Sequence, residues 1–322
     1  MKSSTLRLFL LHFTLVLLSF PTLASKIKND KFNETSVVLE TEKGQIFGTL
    51  TMPKKFEKGQ IALIIAGSGP TNRNGNNKMM KNNSLKYLAE ELSKKGIASI
   101  RYDKRGIEES KSAGINEKEL RFEDYINDAK DWIKFIRKDK KFISLTIIGH
   151  SEGSLIGMIA AEEADKFISI AGIGKSSDKI LKEQLNSQSK EIIENSNLII
   201  DSLKNGNLVT SINPLLFSIF RPSVQPYLIS WFKYDPQIEI KKLKIPVLIA
   251  QGTNDIQVKE EEAKLLLNAY PSAKMIIIKD MNHVLKIVKG DKEENIASYN
   301  NPDLKIAKEL ILSISDFINQ FN

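Results

Sequence analysis

Residues 145–161, LTIIGHSEGSLIGMIAA, decide the fold, because they join a buried strand to a helix through a serine. The segment begins with an apolar run typical of a strand and ends with the apolar content of a buried helix. Between these parts, residues 149–153 match G-x-S-x-G, the pattern of a sharp strand-to-helix turn that displays a serine hydroxyl. A Cβ at either glycine would collide with the strand or the helix, so the turn requires both glycines. The pattern predicts Ser151 as a nucleophile at the carboxyl end of a strand.

Predicted strands and helices alternate along most of the chain. Apolar runs typical of strands are residues 60–66, 97–102, 145–148, 167–171, 245–250 and 275–278, and residues 35–40 and 45–52 form an opening hairpin. Amphipathic helices are predicted between Asn83 or Ser84 and Gly96, over residues 122–137, and from Asn301 and Pro302 onwards. This alternation predicts an α/β fold with a mostly parallel central sheet flanked by helices.

Residues 174–236 break the alternation, because they contain amphipathic helical runs and no evident strand. We interpret this range as an inserted helical cap, and we call it the cap segment. Its large apolar side chains either cover the predicted nucleophile or only hold the cap on the rest of the protein. If they cover it, Phe217, Phe220 and Trp231 are expected to influence the preference for acyl length.

The first 24 residues have the pattern of a signal peptide, with a basic start, an apolar run over residues 8–20 and small residues before the cleavage site. We predict cleavage after Ala24, export to the periplasm or the medium, and a core domain formed by residues 25–173 and 237–322. A retained anchor is the alternative, since the apolar run is close to the lower limit for a membrane-spanning helix. After cleavage, no stable membrane insertion is expected.

Composition excludes several classes of partner. The formal net charge is +8, but the basic residues are scattered among acidic ones, so no nucleic-acid-binding face is predicted. The chain has no cysteine, and no metal-ligand spacing or H-E-x-x-H pattern occurs. The glycine-rich loop over residues 67–75 lacks the Gly-Lys-Ser/Thr ending of a phosphate-binding loop. We therefore expect a small-molecule substrate and no cofactor.

A serine nucleophile needs a base, and only His150 and His283 follow the predicted signal peptide. His150 precedes Ser151, and successive side chains at a strand end point apart, so we expect His150 to face away from the hydroxyl and to pack. His283 follows the last predicted strand, at the edge of the sheet where Ser151 is displayed. His283 is therefore the predicted base.

The imidazole needs a carboxylate partner, and the tetrahedral intermediate needs hydrogen-bond donors. Asp255 follows the strand at residues 245–250 and gives the chain order Ser, Asp, His. Asp280, three residues before His283, is the alternative carboxylate. The predicted donors to the oxyanion are the backbone N–H groups of Glu152 and Ser68.

Together these motifs resemble those of the α/β-hydrolases, especially a secreted bacterial branch described as esterase, lysophospholipase-like or serine aminopeptidase-like. The matching segments are residues 67–70 with Arg73 and Gly75, residues 101–106 and 149–153, residues 252–255, and Asn282 with His283. In the family these segments correspond to the oxyanion loop, an Asp-x-Arg-Gly turn, the nucleophile, the acid and the base. The chain departs from the family at Asn72 and Asn74, where aspartates are expected, and at Glu108, where a glycine is usual.

Resemblance and residues together predict hydrolysis of a carboxylic ester through an acyl-enzyme on Ser151. Hydrolysis of an amide or a small peptide is the alternative, because the groups and the geometry are shared. A noncatalytic exported binding protein is the alternative from another class. Three matched residues after three strands argue against a binding protein, which would not need them.

Overall fold

The computed structural model describes residues 31–114 and 116–320. The predicted signal peptide lies outside the described residues. No helix in these two ranges has the length and apolar content needed to cross a membrane.

An eight-stranded sheet forms the centre of the described part of the chain. Its strands are β1 (Phe32–Thr41), β2 (Gly44–Pro53), β3 (Gly59–Ile65), β4 (Ala98–Tyr102), β5 (Phe142–His150), β6 (Lys166–Ile170), β7 (Val247–Gly252) and β8 (Lys274–Ile278). They lie in the order β1-β2-β4-β3-β5-β6-β7-β8, and all pairs from β4 to β8 are parallel. The antiparallel hairpin β1–β2 is joined antiparallel to β4. The predicted mostly parallel α/β sheet is confirmed, and the carboxyl ends of β3 to β8 share one edge.

Helices cover both faces of the sheet, as a parallel sheet requires. They are α1 (Ser84–Lys94), α2 (Phe122–Arg137), α3 (Glu152–Ala160), α4 (Ser177–Leu185), α5 (Lys190–Lys204), α6 (Phe217–Phe220), α7 (Gln225–Trp231), α8 (Pro236–Ile240), α9 (Glu260–Ala269), α10 (Lys292–Ser298) and α11 (Lys308–Asn319). Strand β3 shows why both faces are needed. Ile61, Leu63 and Ile65 pack with α2 and α3, whereas Ala62 and Ile64 pack with α1 and α11. Burial of each Ile or Leu side chain stabilises the fold by roughly 1.5–3 kcal/mol.

The last helix begins later than predicted. Helix α11 starts at Lys308, not at Asn301 or Pro302. Ile306 instead pairs with Lys286 in an antiparallel bridge, and the N–H of Ala307 donates to the carbonyl of Leu285 at 2.7 Å. These residues are held extended by the loop that follows His283, so the helical pattern before Lys308 is overruled by a tertiary contact.

The cap segment contributes α4 to α7, which lie between β6 and β7 in the chain. Its buried side chains Phe220, Tyr227 and Phe232 belong to the same apolar cluster as α2 and α3. Trp231 stacks on Phe122 of α2, with ring centroids 5.8 Å apart. Aromatic contacts therefore hold this segment against the face of the sheet that carries α2 and α3. Its division from the core as a separate unit stays a prediction.

Candidate active site

Ser151 occupies a strained turn between β5 and α3. Its backbone has φ 55° and ψ −121°, a left-handed conformation that is costly for a residue with a Cβ. A Cβ at Gly149 would overlap the carbonyl oxygen of Gly153, and a Cβ at Gly153 would overlap that of Ile65. Both glycines are thus required by close backbone contact, as the pattern predicts. The turn leaves Ser151 half-buried at the carboxyl end of β5.

His283 and Asp255 meet at the same edge of the sheet. The distance between His283 Nδ1 and Asp255 Oδ2 is 2.8 Å, and both side chains are buried. The other carboxylate oxygen of Asp255 accepts the N–H groups of Gln257 and Val258 at 2.8 and 2.9 Å. Burial by itself would raise the pKa of Asp255, but the charge of His283 and these hydrogen bonds outweigh it and hold the pKa below its usual value. Asp255 is therefore an ionised partner for the imidazole.

Asp280, the alternative carboxylate, does not reach the imidazole. Its backbone N–H donates to Thr253 Oγ1 at 2.8 Å, and its carbonyl accepts the N–H of Val288 at 2.9 Å. These bonds place Asp280 at the turn after β8, and no hydrogen bond or ion pair joins its carboxylate to His283 within residues 116–320. The structure brings together His283 and Asp255.

The loop that carries His283 is held by its neighbour Asn282. The Asn282 amide donates to Asn295 Oδ1 at 2.9 Å and to Ser298 Oγ at 2.6 Å, and both partners belong to α10. The side-chain oxygen Oδ1 of Asn282 accepts the N–H of Lys286 at 3.0 Å. Asn282 is fully buried, so this network fixes the backbone from which the imidazole projects.

His150 is buried, as expected of a packing residue, and it also makes a hydrogen bond that the sequence did not predict. Its Nε2 lies 2.8 Å from the carbonyl oxygen of His283, and the two rings are 4.8 Å apart. Burial, together with the charge of His283, lowers the pKa of His150 to about 3. His150 is therefore neutral near pH 7, and its Nε2–H donates to the backbone of His283. This contact could not be predicted from the sequence, because the two histidines are 133 residues apart.

Because the pKa of His150 falls from 6.5 in the unfolded chain to about 3 in the fold, protonation favours unfolding. The free energy of unfolding of the wild type, relative to His150→Phe, is expected to be highest above about pH 6.5 and to fall with acidification toward about pH 3. The slope should approach about 1.4 kcal/mol per pH unit. Urea unfolding of both proteins between about pH 7 and about pH 4 measures this difference. If the free energies of unfolding of the two proteins change equally with pH, the pKa of His150 is the same in the folded and the unfolded protein.

Two backbone N–H groups stand free beside Ser151. Glu152 is the first residue of α3, where the N–H has no partner in the helix. Gly67 is packed against Ser151, since a Cβ on it would lie 3.1 Å from Ser151 Cβ, and Ser68 follows it. In the described part of the chain, the N–H groups of Ser68 and Glu152 donate to no protein acceptor. Both predicted donors to the oxyanion are therefore unpaired, one directly after Ser151 and the other directly after Gly67, which packs against Ser151.

A buried ion pair joins the two segments that carry these donors, and it was not predicted from the sequence. Lys104 Nζ donates to the carbonyl of Gly67 at 2.6 Å and lies 3.3 Å from Glu152 Oε2. The second carboxylate oxygen of Glu152 accepts a hydrogen bond from the hydroxyl of Tyr227 in α7. All of these residues are buried. Lys104 lies in residues 101–106, a segment that matches the family pattern, and this was the only indication of a role in the sequence. The segment alone does not show what Lys104 contacts.

Around the positions where the chain departs from the family pattern, the structure shows hydrogen bonds and, at Glu108, backbone strain. Asp103 accepts the backbone N–H and the guanidinium of Arg73, each at 2.7 Å, so the Asp-x-Arg-Gly turn holds the loop that follows Ser68. Asn74 Oδ1 accepts from Arg101 Nε at 3.1 Å. Glu108 has φ 44°, a conformation that favours glycine, so the chain tolerates backbone strain where the family usually has none. None of these positions contacts Ser151.

A cavity of about 560 Å³ lies between the oxyanion loop and the cap segment. Its lining includes Ser68, Tyr125, Glu152, Leu181, Ile219, Leu228 and Trp231. Of the three aromatic residues expected to affect acyl length, only Trp231 lines it. Phe217 is 52% exposed and Phe220 is fully buried in the apolar cluster, so neither lines this cavity, and an effect of either on acyl preference stays a prediction. The helical pattern located the amphipathic face but not the part of it that meets the cavity.

Comparison with known proteins is consistent with this geometry. A family model described as serine aminopeptidase, S33, matches residues 80–188. The chain is 27% identical over 265 residues to the esterase EstD of Thermotoga maritima, and the match covers 78% of this chain and 60% of that protein. The chain thus spans only part of the length of this curated relative.

Two solved structures are similar in fold. Est1E from Butyrivibrio proteoclasticus has a TM-score of 0.57 and 16% identity, over 88% of this chain and 98% of that one. The esterase Pf2001 from Pyrococcus furiosus has a TM-score of 0.55 and 14% identity, over 89% and 92%. Similarity at these identities shows the fold alone. The order of the sheet and these solved structures show that the chain has the α/β-hydrolase fold, and its sequence resembles that of an esterase.

Proposed function

We propose that the protein is a serine hydrolase that cleaves carboxylic esters through an acyl-enzyme on Ser151. The observation that carries the proposal is the buried 2.8 Å hydrogen bond between His283 and Asp255, at the sheet edge where strained Ser151 lies. A serine on a strained turn, at the same sheet edge as an oriented imidazole, is the arrangement that acyl transfer needs. The sequence similarity to an esterase supports an ester as the bond that is cleaved.

In the proposed reaction, Ser151 Oγ attacks the ester carbonyl carbon while His283 Nε2 takes the hydroxyl proton. Asp255 keeps the other ring proton on Nδ1 and stabilises the imidazolium. The N–H groups of Ser68 and Glu152 bind the oxyanion of the tetrahedral intermediate. Collapse breaks the bond to the alcohol, which leaves with the proton from His283, and water then releases the acid by the same steps. A hydrogen bond from the Ser151 hydroxyl to His283 is expected to form when substrate is bound.

Hydrolysis of an amide or a small peptide is the second candidate, and the match to a serine aminopeptidase model favours it. A free peptide amine would need an unpaired carboxylate in the cavity. The two carboxylates that line the described cavity, Glu117 and Glu152, are bound to Arg221 and Lys104. The hydrogen bonds from Arg221 lower the pKa of Glu117, which keeps that pair charged. A cavity with no free anion favours an uncharged ester over a peptide amine.

The proposal is tested by labelling with a fluorophosphonate probe and by turnover of aryl esters and matched anilides. We expect covalent labelling at Ser151, located by peptide mass spectrometry, and faster turnover of the esters. Faster turnover of anilides carrying a free amine would favour the peptidase. Absence of both labelling and turnover would support the noncatalytic binding protein instead.

The cap segment is proposed to set acyl-chain preference through Trp231, which lines the cavity and stacks on Phe122. Trp231→Ala should widen the cavity and raise turnover of long-chain esters relative to short-chain esters by on the order of tenfold. Phe217→Ala is the matched control, since Phe217 is exposed and does not line the cavity. The measurement is kcat/KM for a series of aryl esters. Equal scaling of every ester in Trp231→Ala would show that the residue only packs the segment.

We also propose export to the periplasm or the medium, supported by the basic, apolar and small-residue pattern of residues 1–24. The proposal predicts that the protein from the natural host begins at Ser25. Determination of its N-terminal residue by mass spectrometry tests this. An N-terminus at Met1 in the membrane fraction would support the retained anchor.

A further inference from the structure

Lys104 is a buried cation that the proposed reaction does not use. Its side chain is 2% exposed, and Nζ is surrounded by the carbonyl of Gly67, the carboxylate of Glu152 and, 4.9 Å away, the ring of Tyr125. Removing an ammonium group from water is costly, so a buried lysine is expected to have a specific role. The contacts indicate which part of the site it affects.

The carbonyl of Gly67 belongs to the peptide group that carries the N–H of Ser68. In a planar trans peptide, the C=O and the following N–H point in opposite directions. The 2.6 Å bond from Lys104 to Gly67 therefore holds the N–H of Ser68 directed away from Lys104. A cation on the carbonyl also polarises the peptide and strengthens its N–H as a donor.

Lys104 is also joined to the second donor. Glu152, whose backbone N–H begins α3 beside Ser151, contacts Lys104 Nζ through its side chain at 3.3 Å. Tyr227 holds the other oxygen of that carboxylate. One ammonium group thus ties the loop after β3 to the first residue of α3, and these two segments carry both proposed donors. Donors that are fixed before the reaction need no reorganisation when the oxyanion forms.

From this geometry we infer that Lys104 is a positioning residue, which orients the Gly67–Ser68 peptide and thereby sets the strength of the oxyanion hole. The inference rests on the proposed serine hydrolase function. It requires an effect on the transition state and not on the binding of the ester. Lys104 should therefore control kcat and the affinity for a tetrahedral analogue, while KM stays the same.

The obvious variant, Lys104→Met, leaves the carboxylate of Glu152 buried without a cation and is therefore expected to unfold easily. The informative variant is Lys104→Met combined with Glu152→Gln, which replaces the pair by neutral side chains of similar size. Buried ion pairs replaced in this way are usually tolerated. Glu152→Gln alone is the reference, because it keeps the bond from Lys104 to Gly67, and the glutamine oxygen can still accept a hydrogen bond from the buried ammonium group. Thermal unfolding verifies that each variant is folded.

Turnover of a water-soluble aryl ester and inhibition by an arylboronic acid, which forms a tetrahedral adduct with the serine, are then measured. Relative to Glu152→Gln, the double variant should show kcat reduced by roughly 10- to 100-fold and boronic acid affinity reduced by a similar factor, with KM changed less than about threefold. Lys166→Met is the control for loss of a buried lysine, because Lys166 also donates to backbone carbonyls but lies on β6 and caps α11. It should keep the wild-type kcat.

Two results would overturn the inference. One is a double variant whose kcat and boronic acid affinity stay within about threefold of Glu152→Gln. The other is a change confined to KM, which would make Lys104 a substrate-binding residue. Failure of the underlying function is distinguishable, because the wild type would then show neither labelling nor turnover, or Ser151→Ala would keep the activity of the wild type. A Ser151→Ala protein that is inactive, beside Lys104 variants that are normal, would reject the role of Lys104 alone.

Discussion

Ser151→Ala is expected to lower kcat for an aryl ester by a factor on the order of one million, because the hydroxyl is the proposed nucleophile. His283→Ala should cost about as much, and the double variant should be no worse than either single variant, since the two groups act as a unit. The fold should survive. Within residues 31–114 and 116–320 the Ser151 hydroxyl has no hydrogen-bonded partner, so its removal leaves no buried group unsatisfied.

The measurement is kcat for the three variants, with fluorophosphonate labelling as a second readout. Labelling should vanish in Ser151→Ala. Circular dichroism serves as the control that each variant is folded. Turnover within about tenfold of the wild type in Ser151→Ala would reject Ser151 as the nucleophile, and costs that multiply in the double variant would show that the two residues do not act together.

Asp255→Asn is expected to lower kcat by about four orders of magnitude while the structure stays intact. The asparagine oxygen can still accept the N–H groups of Gln257 and Val258, but its amide would then face His283 Nδ1. An amide donor at Nδ1 favours the tautomer with its proton on Nε2, and that tautomer cannot take the proton of Ser151.

Asp280→Asn is the matched control for this prediction. The same chemical change is made three residues before His283, at a carboxylate that does not contact the imidazole, and we expect less than about a threefold effect on kcat. Both variants are compared over the full pH-rate profile on one aryl ester. A large loss in Asp280→Asn together with normal turnover in Asp255→Asn would mean that the imidazole changes its partner during the reaction.

The fold and the strained turn at Ser151 could be predicted from sequence because both depend on local rules. The turn at Ser151 needs glycines at two fixed positions, and the structure shows backbone atoms where their side chains would be. The alternation of apolar runs predicted the mostly parallel sheet, and with it the edge at which Ser151, Asp255 and His283 follow β5, β7 and β8.

Contacts between distant segments could not be predicted in this way. The sequence favoured Asp255 but left Asp280 open, because the choice depends on how the loops after β7 and β8 meet. The contact between His150 and His283 spans 133 residues. The late start of α11 likewise follows from the pairing of Ile306 with Lys286. In each case the local pattern permits several outcomes, and the partner is supplied by another element.

By itself, the sequence determined the α/β class, the succession of strands and helices along the chain, and a serine on a glycine-flanked turn. These features depend on periodicity and backbone sterics, which act over a few residues. Only the tertiary structure decided that Trp231, and not Phe217 or Phe220, lines the cavity, and that Lys104 lies between Gly67 and Glu152. The physical reason is that these contacts depend on the order of strands in the sheet and on how helices pack across it. Neither property is encoded in any single stretch of the chain.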